Sequence, residues 1–166
     1  LTYTPAAAAV VVKANNTTNL NDGLSWVGGT APGPVSVGIW DATVTSANTT
    51  VLGGDLTWNG IAIQNPAGLV TINAGNTLTL AGIAATNIDM SAATADLTLN
   101  CGLALGAANV WDVQSGRTLT VGGAVSGTNN LAIQNAGTVV LSSGANSYVG
   151  TTTVGATSTL KLEIGR

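Results

Sequence analysis

Three short segments of this chain are nearly one segment repeated at an even spacing. Thr77-Leu78-Thr79-Leu80, Thr118-Leu119-Thr120-Val121 and Thr159-Leu160-Lys161-Leu162 begin 41 residues apart, twice in succession. A fixed period constrains a fold strongly, because each unit buries its apolar side only against its neighbours in a stack. Leucines at 56, 78, 97, 119 and 160, with Val140 in the gap, recur in steps of about 19 to 22 residues. Half of the long spacing is therefore one coil of about 20 residues.

A second internal match supports the coil. Ile61-Ala62-Ile63-Gln64-Asn65-Pro66-Ala67-Gly68-Leu69-Val70 parallels Leu131-Ala132-Ile133-Gln134-Asn135-Ala136-Gly137-Thr138-Val139, with Pro66 as a one-residue insertion. The Gln-Asn pair and the following Ala-Gly mark a coil corner, where Gly adopts positive φ and Asn tolerates it. No window holds the i, i+3, i+4 apolar pattern of an amphipathic helix. Runs of three to five residues rich in Val, Ile, Leu and Thr instead alternate with Gly, Asn, Ala and Ser, the pattern of short strands and turns. The first such runs within the repeat region are 42–45, 50–52 and 56–58.

These observations predict an all-β protein, a parallel β-helix or β-solenoid of about 20-residue coils with an N-terminal extended strand and cap. Residues 1–34 lack the repeat and form the strand, a polar loop and the cap, with Trp26 as its apolar plug and Trp40 beside it. Residues 35–166 form the solenoid. Stacking in parallel register would bring Leu78 near Leu97, and Leu97 near Leu119. Leu78, Leu80, Leu97, Leu99, Leu119, Val121, Leu160 and Leu162 would point inward, and Thr79, Thr98, Thr120 and Lys161 outward. Six or seven coils at the sheet spacing of about 4.8 Å make a rod roughly 30 Å long. A two-sheet sandwich is the alternative, but it needs hairpins that bring consecutive strands side by side.

Composition narrows the function classes. Charged residues are 7% of the chain and the net charge is -3, against about a quarter charged in ordinary domains. Lys13, Arg117, Lys161 and Arg166 are scattered, so nothing resembles the clustered cations of a nucleic-acid footprint. The apolar run from Pro5 to Val12 is far shorter than the roughly 20 residues of a membrane helix, and no membrane span is expected. The chain opens on Leu1 without a signal-peptide pattern, which points to a mature, processed or fragmentary product. Cys101 has no internal partner and reads as a small buried residue, with an intermolecular bridge or reactive thiol as the other option. The Asn-x-Thr sequences at Asn15, Asn16 and Asn48 predict surface exposure.

One stretch is specific enough to name a likeness. Leu141-Ser-Ser-Gly-Ala-Asn-Ser-Tyr-Val-Gly-Thr-Thr-Thr-Val-Gly-Ala-Thr-Ser-Thr-Leu-Lys-Leu162 closely resembles the autotransporter-associated β-strand repeat. That repeat runs from a Gly-rich turn into Leu-x-Leu-Ser-Gly-x-Asn-x-Tyr-x-Gly, then Thr-Thr-x-Val, then a closing Thr-Leu-x-Leu. The resemblance is strong over about 125–163 and weaker over 35–122. It implies a secreted β-helical passenger or bacterial surface protein, and it carries over no catalytic residue.

A search for chemistry finds little. The chain has no His, so Ser-His-Asp and Cys-His arrangements are excluded, and zinc sites need several Cys or His. The acids are Asp22, Asp41, Asp55, Asp89, Asp96, Asp112 and Glu163; Asp89, Asp96 and Asp112 are expected on different faces of nearby coils. A polysaccharide-cleaving site would need them gathered. Gly53-Gly54-Asp55 alone is a poor calcium repeat. No enzyme activity, cofactor or metal is expected. Outward Thr columns, a feature of some ice-binding surfaces, are first of all good strand residues.

The ends are the remaining clue. Thr159 to Ile164 reads as a strand with no cap after it, and Ala6 to Val12 as an apolar strand without a place in the repeat. Open sheet edges invite another chain. Ala6, Ala7, Ala8, Ala9, Val10, Val11, Val12, Leu160, Leu162 and Ile164 are the candidate assembly residues, joining copies head to tail by strand addition into a homo-oligomer or filament. The expected role is an extracellular or cell-surface structural protein of bacterial type, a filament, layer or stalk. The alternative is an adhesin or glycan-binding passenger, less so a polysaccharide-degrading one; Trp58, Trp111 and Tyr148 gathered in a groove with an acid would favour it, since aromatic faces stack on sugar rings.

Overall fold

Alternating Thr and Leu suits a strand with one face on a core, and the intervening Gly, Asn and Ser supply turns. A computed structural model of the chain describes residues 8–82 and 86–163. The strands are β1 (Ala9–Val12), β2 (Ser36–Trp40), β3 (Asn48–Thr50), β4 (Leu56–Trp58), β5 (Gly60–Ile63) and β6 (Val70–Ile72). They continue as β7 (Thr77–Leu80), β8 (Ile88–Met90), β9 (Leu97–Leu99), β10 (Gly102–Leu105), β11 (Asn109–Val113) and β12 (Thr118–Val121). The last are β13 (Val125–Gly127), β14 (Leu131–Gln134), β15 (Thr138–Leu141), β16 (Thr152–Val154) and β17 (Thr159–Leu162). A single 3-10 turn covers Gly23–Ser25.

These strands form three sheets. The first is ordered β1-β2-β5-β8-β11-β14-β16, the second β3-β6-β9-β12-β15-β17, and the third β4-β7-β10-β13. All pairings within the sheets are parallel and join strands one coil apart in sequence. The protein is a β-solenoid of about 6 turns with coils of about 22 residues. A sandwich is excluded, because every sheet pairing is parallel and, from β2 onward, consecutive strands lie in different sheets.

The core is the inside of the coils. Leu97, Leu119 and Val139 stack in register along the second sheet and are buried, and Leu160 extends the column, partly buried. Thr71, Thr98 and Thr120 alternate with them on the outside. Each fully buried leucine contributes roughly 1.5–3 kcal/mol of transfer free energy. Of the expected inward residues only Leu162 is exposed; among the described residues no strand packs on the outer side of β17.

The opening repeat is partly reassigned. Leu78 pairs with Leu56 and Leu103 in the third sheet, and Leu97 pairs with Val70 and Leu119 in the second. The expected neighbours Leu78 and Leu97 therefore belong to different sheets, and only the 118 and 159 copies are equivalent. The reason is physical: all three sheets turn one face to the same core, so Thr-Leu alternation fits each of them. One coil is also longer, with Ile61 and its partner Ile88 27 residues apart, and this shifts the frame.

The second match holds with an offset. Ile61, Ile88, Trp111 and Ile133 form one column of the first sheet, so the 61 and 131 copies are displaced by two residues. A shift of two keeps every side chain on its own face. Of the two corner asparagines only Asn135 takes positive φ, at 71°. Residues 42–45, expected as a strand, form a turn, while β2 and β13 carry too much Gly and Ser to stand out.

The N-terminal strand has a definite place. β1 pairs with β2 from Ala9↔Ser36 to Val12↔Ile39, which corrects the reading of 6–12 as unattached. The chain then crosses the top of the first coil, where Leu20 and Asn21 donate to Val51 O and Leu52 O, each at 2.9 Å. Trp26 drops into the core beneath, edge-on to Trp40 at 5.5 Å and to Trp58 at 5.4 Å. Gly38 makes room for it: a Cβ there would lie 2.9 Å from the Trp26 ring and 3.2 Å from that of Trp58.

Candidate functional site

The two ends of the solenoid differ, and they hold the candidate assembly residues. At the N-terminal end the backbone turns inward on itself. Val27 N–H donates to Val12 O at 2.8 Å, and Ala14 N–H to Ser25 O at 2.9 Å, so the segment around Trp26 covers part of the outer edge of β1. Lys13 is buried beneath it, and its Nζ donates to Ala14 O, Asn16 O and Asn16 Oδ1 at 2.8–2.9 Å. Among the described residues no acid pairs with this ammonium. Burial without a counter-charge lowers its pKa from 10.5 to about 8.

At the C-terminal end nothing comparable exists among the described residues. β16 pairs only with β14 and β17 only with β15. Each leaves one edge without a strand partner among the described residues. Val154, Lys161 and Leu162 are exposed and Leu160 is partly buried.

Exposed apolar side chains follow the same division. Val10, Leu24, Val27 and Val35 lie in or beside the cap, and Val149, Val154 and Leu162 in the last coils; all are between 40% and 77% exposed. On the sides between, Leu69 alone among the described residues is a large exposed apolar residue, at 46%. Of the sequence-derived assembly residues, Ala8 to Val12 thus sit at one end and Leu160 and Leu162 at the other. Ala6, Ala7 and Ile164 lie outside the described residues. Sequence reasoning missed Lys13, Ser25 and Val27 on the cap and Val154 on the last coil. A lysine that ends an apolar run and precedes Asn15-Asn16 was the one available signal for the clasp.

The remaining candidates resolve by burial. Trp58 and Trp111 are fully buried, and Tyr148 Oη bonds to Thr152 Oγ1 at 2.7 Å in a half-buried position. They do not line a common groove, so neither indole offers a face to a sugar. Asp89 and Asp112 are register partners on the outside of the first sheet, a correction to their expected separation: they lie 23 residues apart, one coil, at the same position of neighbouring strands. Their carboxylates are occupied locally, Asp89 by Ser91 N–H and Oγ–H, and Asp112 by Gln134 and Asn135. Asp96 lies on another sheet, 3.7 Å from Arg117. Asp55 accepts from Thr77 N–H one coil on, a corner cap. Among the described residues no three His, Cys, Asp or Glu side chains gather to hold a metal, and no helix is long and apolar enough to cross a membrane.

Cys101 is in the core, and burial pushes its thiol up to about 11. It is unsuited to bridging or nucleophilic chemistry at neutral pH. Asn48, expected at the surface, is buried: its Oδ1 accepts from Trp40 Nε1 at 2.9 Å and its Nδ2 donates to Asn16 O at 2.8 Å. The outward Thr column at 49, 71, 98 and 120 ends at Val140. Comparison of the chain with protein-family models, with curated proteins and with solved structures finds no match.

Proposed function

We propose that the chain is a structural, non-enzymatic β-solenoid, a subunit that associates end to end into an extracellular filament, layer or stalk of bacterial type. The observation that carries this reading is that, among the described residues and Leu69 apart, the large exposed apolar residues and the unpaired strand edges lie at the two ends of the solenoid. A parallel sheet with a free edge is a template for another strand. Two different ends that meet form a heterologous contact, which does not close and so extends. The resemblance of residues 125–163 to the autotransporter-associated repeat supports the surface location. The buried indoles leave the glycan-binding alternative without a specific observation in its favour.

The test is assembly of the purified chain. Light scattering over a concentration series should show mass growing with concentration, and electron microscopy should show fibres or sheets whose thickness matches one solenoid. A chain that stays monomeric throughout defeats the proposal.

A further inference from the structure

We infer that the joint between copies is a specific strand pairing, β16 of one copy added to the outer edge of β1 of the next, with Val154 opposite Val11. This rests on the end-to-end reading above and names its contact. The free hydrogen-bonding groups of the two edges carry the argument. In β1, Ala9 N–H donates to Val35 O and Lys13 N–H to Ile39 O. Alternation along a strand therefore turns Val11 toward β2, and Val10 and Val12 away from it. Val12 O is taken by Val27 N–H, leaving Val10 N–H, Val10 C=O and Val12 N–H, without a partner among the described residues, as a short ledge.

In β16, Thr151 O accepts from Leu131 N–H and Gly155 N–H donates to Ile133 O. Thr151, Thr153 and Gly155 thus face β14, and Thr152 and Val154 face outward. Set parallel to β1 with Val154 opposite Val11, the strand forms three bonds: Val10 N–H to Thr152 O, Val154 N–H to Val10 O and Val12 N–H to Val154 O. Every free group of the ledge is used.

Two independent features fit the same register. Val11, Gly38, Ile61, Ile88, Trp111, Ile133 and Val154 are one column of the first sheet. Placing Val154 over Val11 continues that column from copy to copy. The ledge is also short, because the Ser25–Val27 segment occupies the edge beyond Val12, opposite Lys13. β16 spans three residues and its chain turns away at Gly155, so it ends where the ledge does.

Proline at a residue whose N–H points outward removes the intermolecular bond and no bond within the copy. Val154→Pro disables the docking strand, and Val10→Pro the ledge. The assay is sedimentation velocity on each variant alone and mixed one to one, with circular-dichroism melts confirming the fold; Val154→Lys stands in if Val154→Pro unfolds. The wild type is expected to assemble, each variant alone to remain monomeric, and the mixture to form a dimer of twice the mass that grows no further. Assembly by Val10→Pro alone would mean tail-to-tail pairing and overturn the inference. Assembly by both variants, or a silent mixture of two folded variants, would overturn this joint while leaving self-assembly intact. A wild type that never assembles would overturn both.

Discussion

The two ends of this solenoid are made from the same kinds of residue and finished in opposite ways. At the N-terminal end the chain spends residues 13–34 covering the first coil, with Trp26 as a plug and Lys13 as a clasp. At the C-terminal end two strands of the same parallel sheets stop without a covering segment among the described residues. The contrast teaches that a coil's stability depends on having a coil on both sides. Val121, Leu141 and Leu162 stand in one column, yet the first two are buried and the last is 62% exposed.

The largest test of that contrast is to unseat the plug. Trp26→Ala leaves a cavity beside Trp40 and Trp58 and should cost about 3–5 kcal/mol, read as a lower denaturant midpoint at unchanged slope. The comparison breaks if Leu162→Ala in the dilute chain costs as much.

Next in size is the buried lysine. Its folded-state pKa of about 8 lies below the ordinary 10.5, so between those values the unfolded chain holds more protons. The contribution of this group to stability then rises with pH from 8 to 10.5 and is flat below 8. At about 1.36 kcal/mol per unit the rise approaches 3 kcal/mol. The buried Cys101 thiol, raised to about 11, works in the opposite direction above pH 9, so the lysine is read as a difference: melts should show the wild type gaining on Lys13→Met as pH climbs across this range. An equal slope in both would place the titration elsewhere.

Trypsin offers a sharper comparison of the ends. Lys161 on the open strand should be cut first, while Lys13 under the cap and Arg117, held by Thr94 O and Asp96, survive. Early cleavage after Lys13 would show the cap to be loose. Smallest of all, Val154→Ala in the dilute monomer should change stability by no more than about 0.5 kcal/mol, since this side chain is 40% exposed.

The sequence made the coil length, the parallel stacking and the inward face readable, because Leu97, Leu99, Leu119 and Val121 alternate with Thr at period two. It also marked Trp26 as the plug, since a large aromatic in a polar, Gly-rich loop needs a core to enter. It did not reveal which sheet each strand joins. Leu78 and Leu97 sit in equivalent local patterns, and a period of two carries no label for the face of a three-sided coil. Nor did it reveal that β1 pairs with β2, a contact across a loop whose cost and gain are both non-local. The open edge was legible at Leu160 and Leu162, where the repeat runs out of partners. Its other half, the ledge at Val10 and Val12, depends on which backbone groups Val27 leaves free, and only the folded chain fixes that.

Amide hydrogen exchange on the dilute monomer tests the difference between the ends most directly. The closed end should protect Val11 and Lys13 nearly as well as β5 and β8. At the open end Thr152 and Val154 should exchange within the dead time while Thr153 and Gly155, bonded to β14, exchange more slowly. Uniform protection of β16 and β17, or rapid exchange throughout β1, would contradict the account.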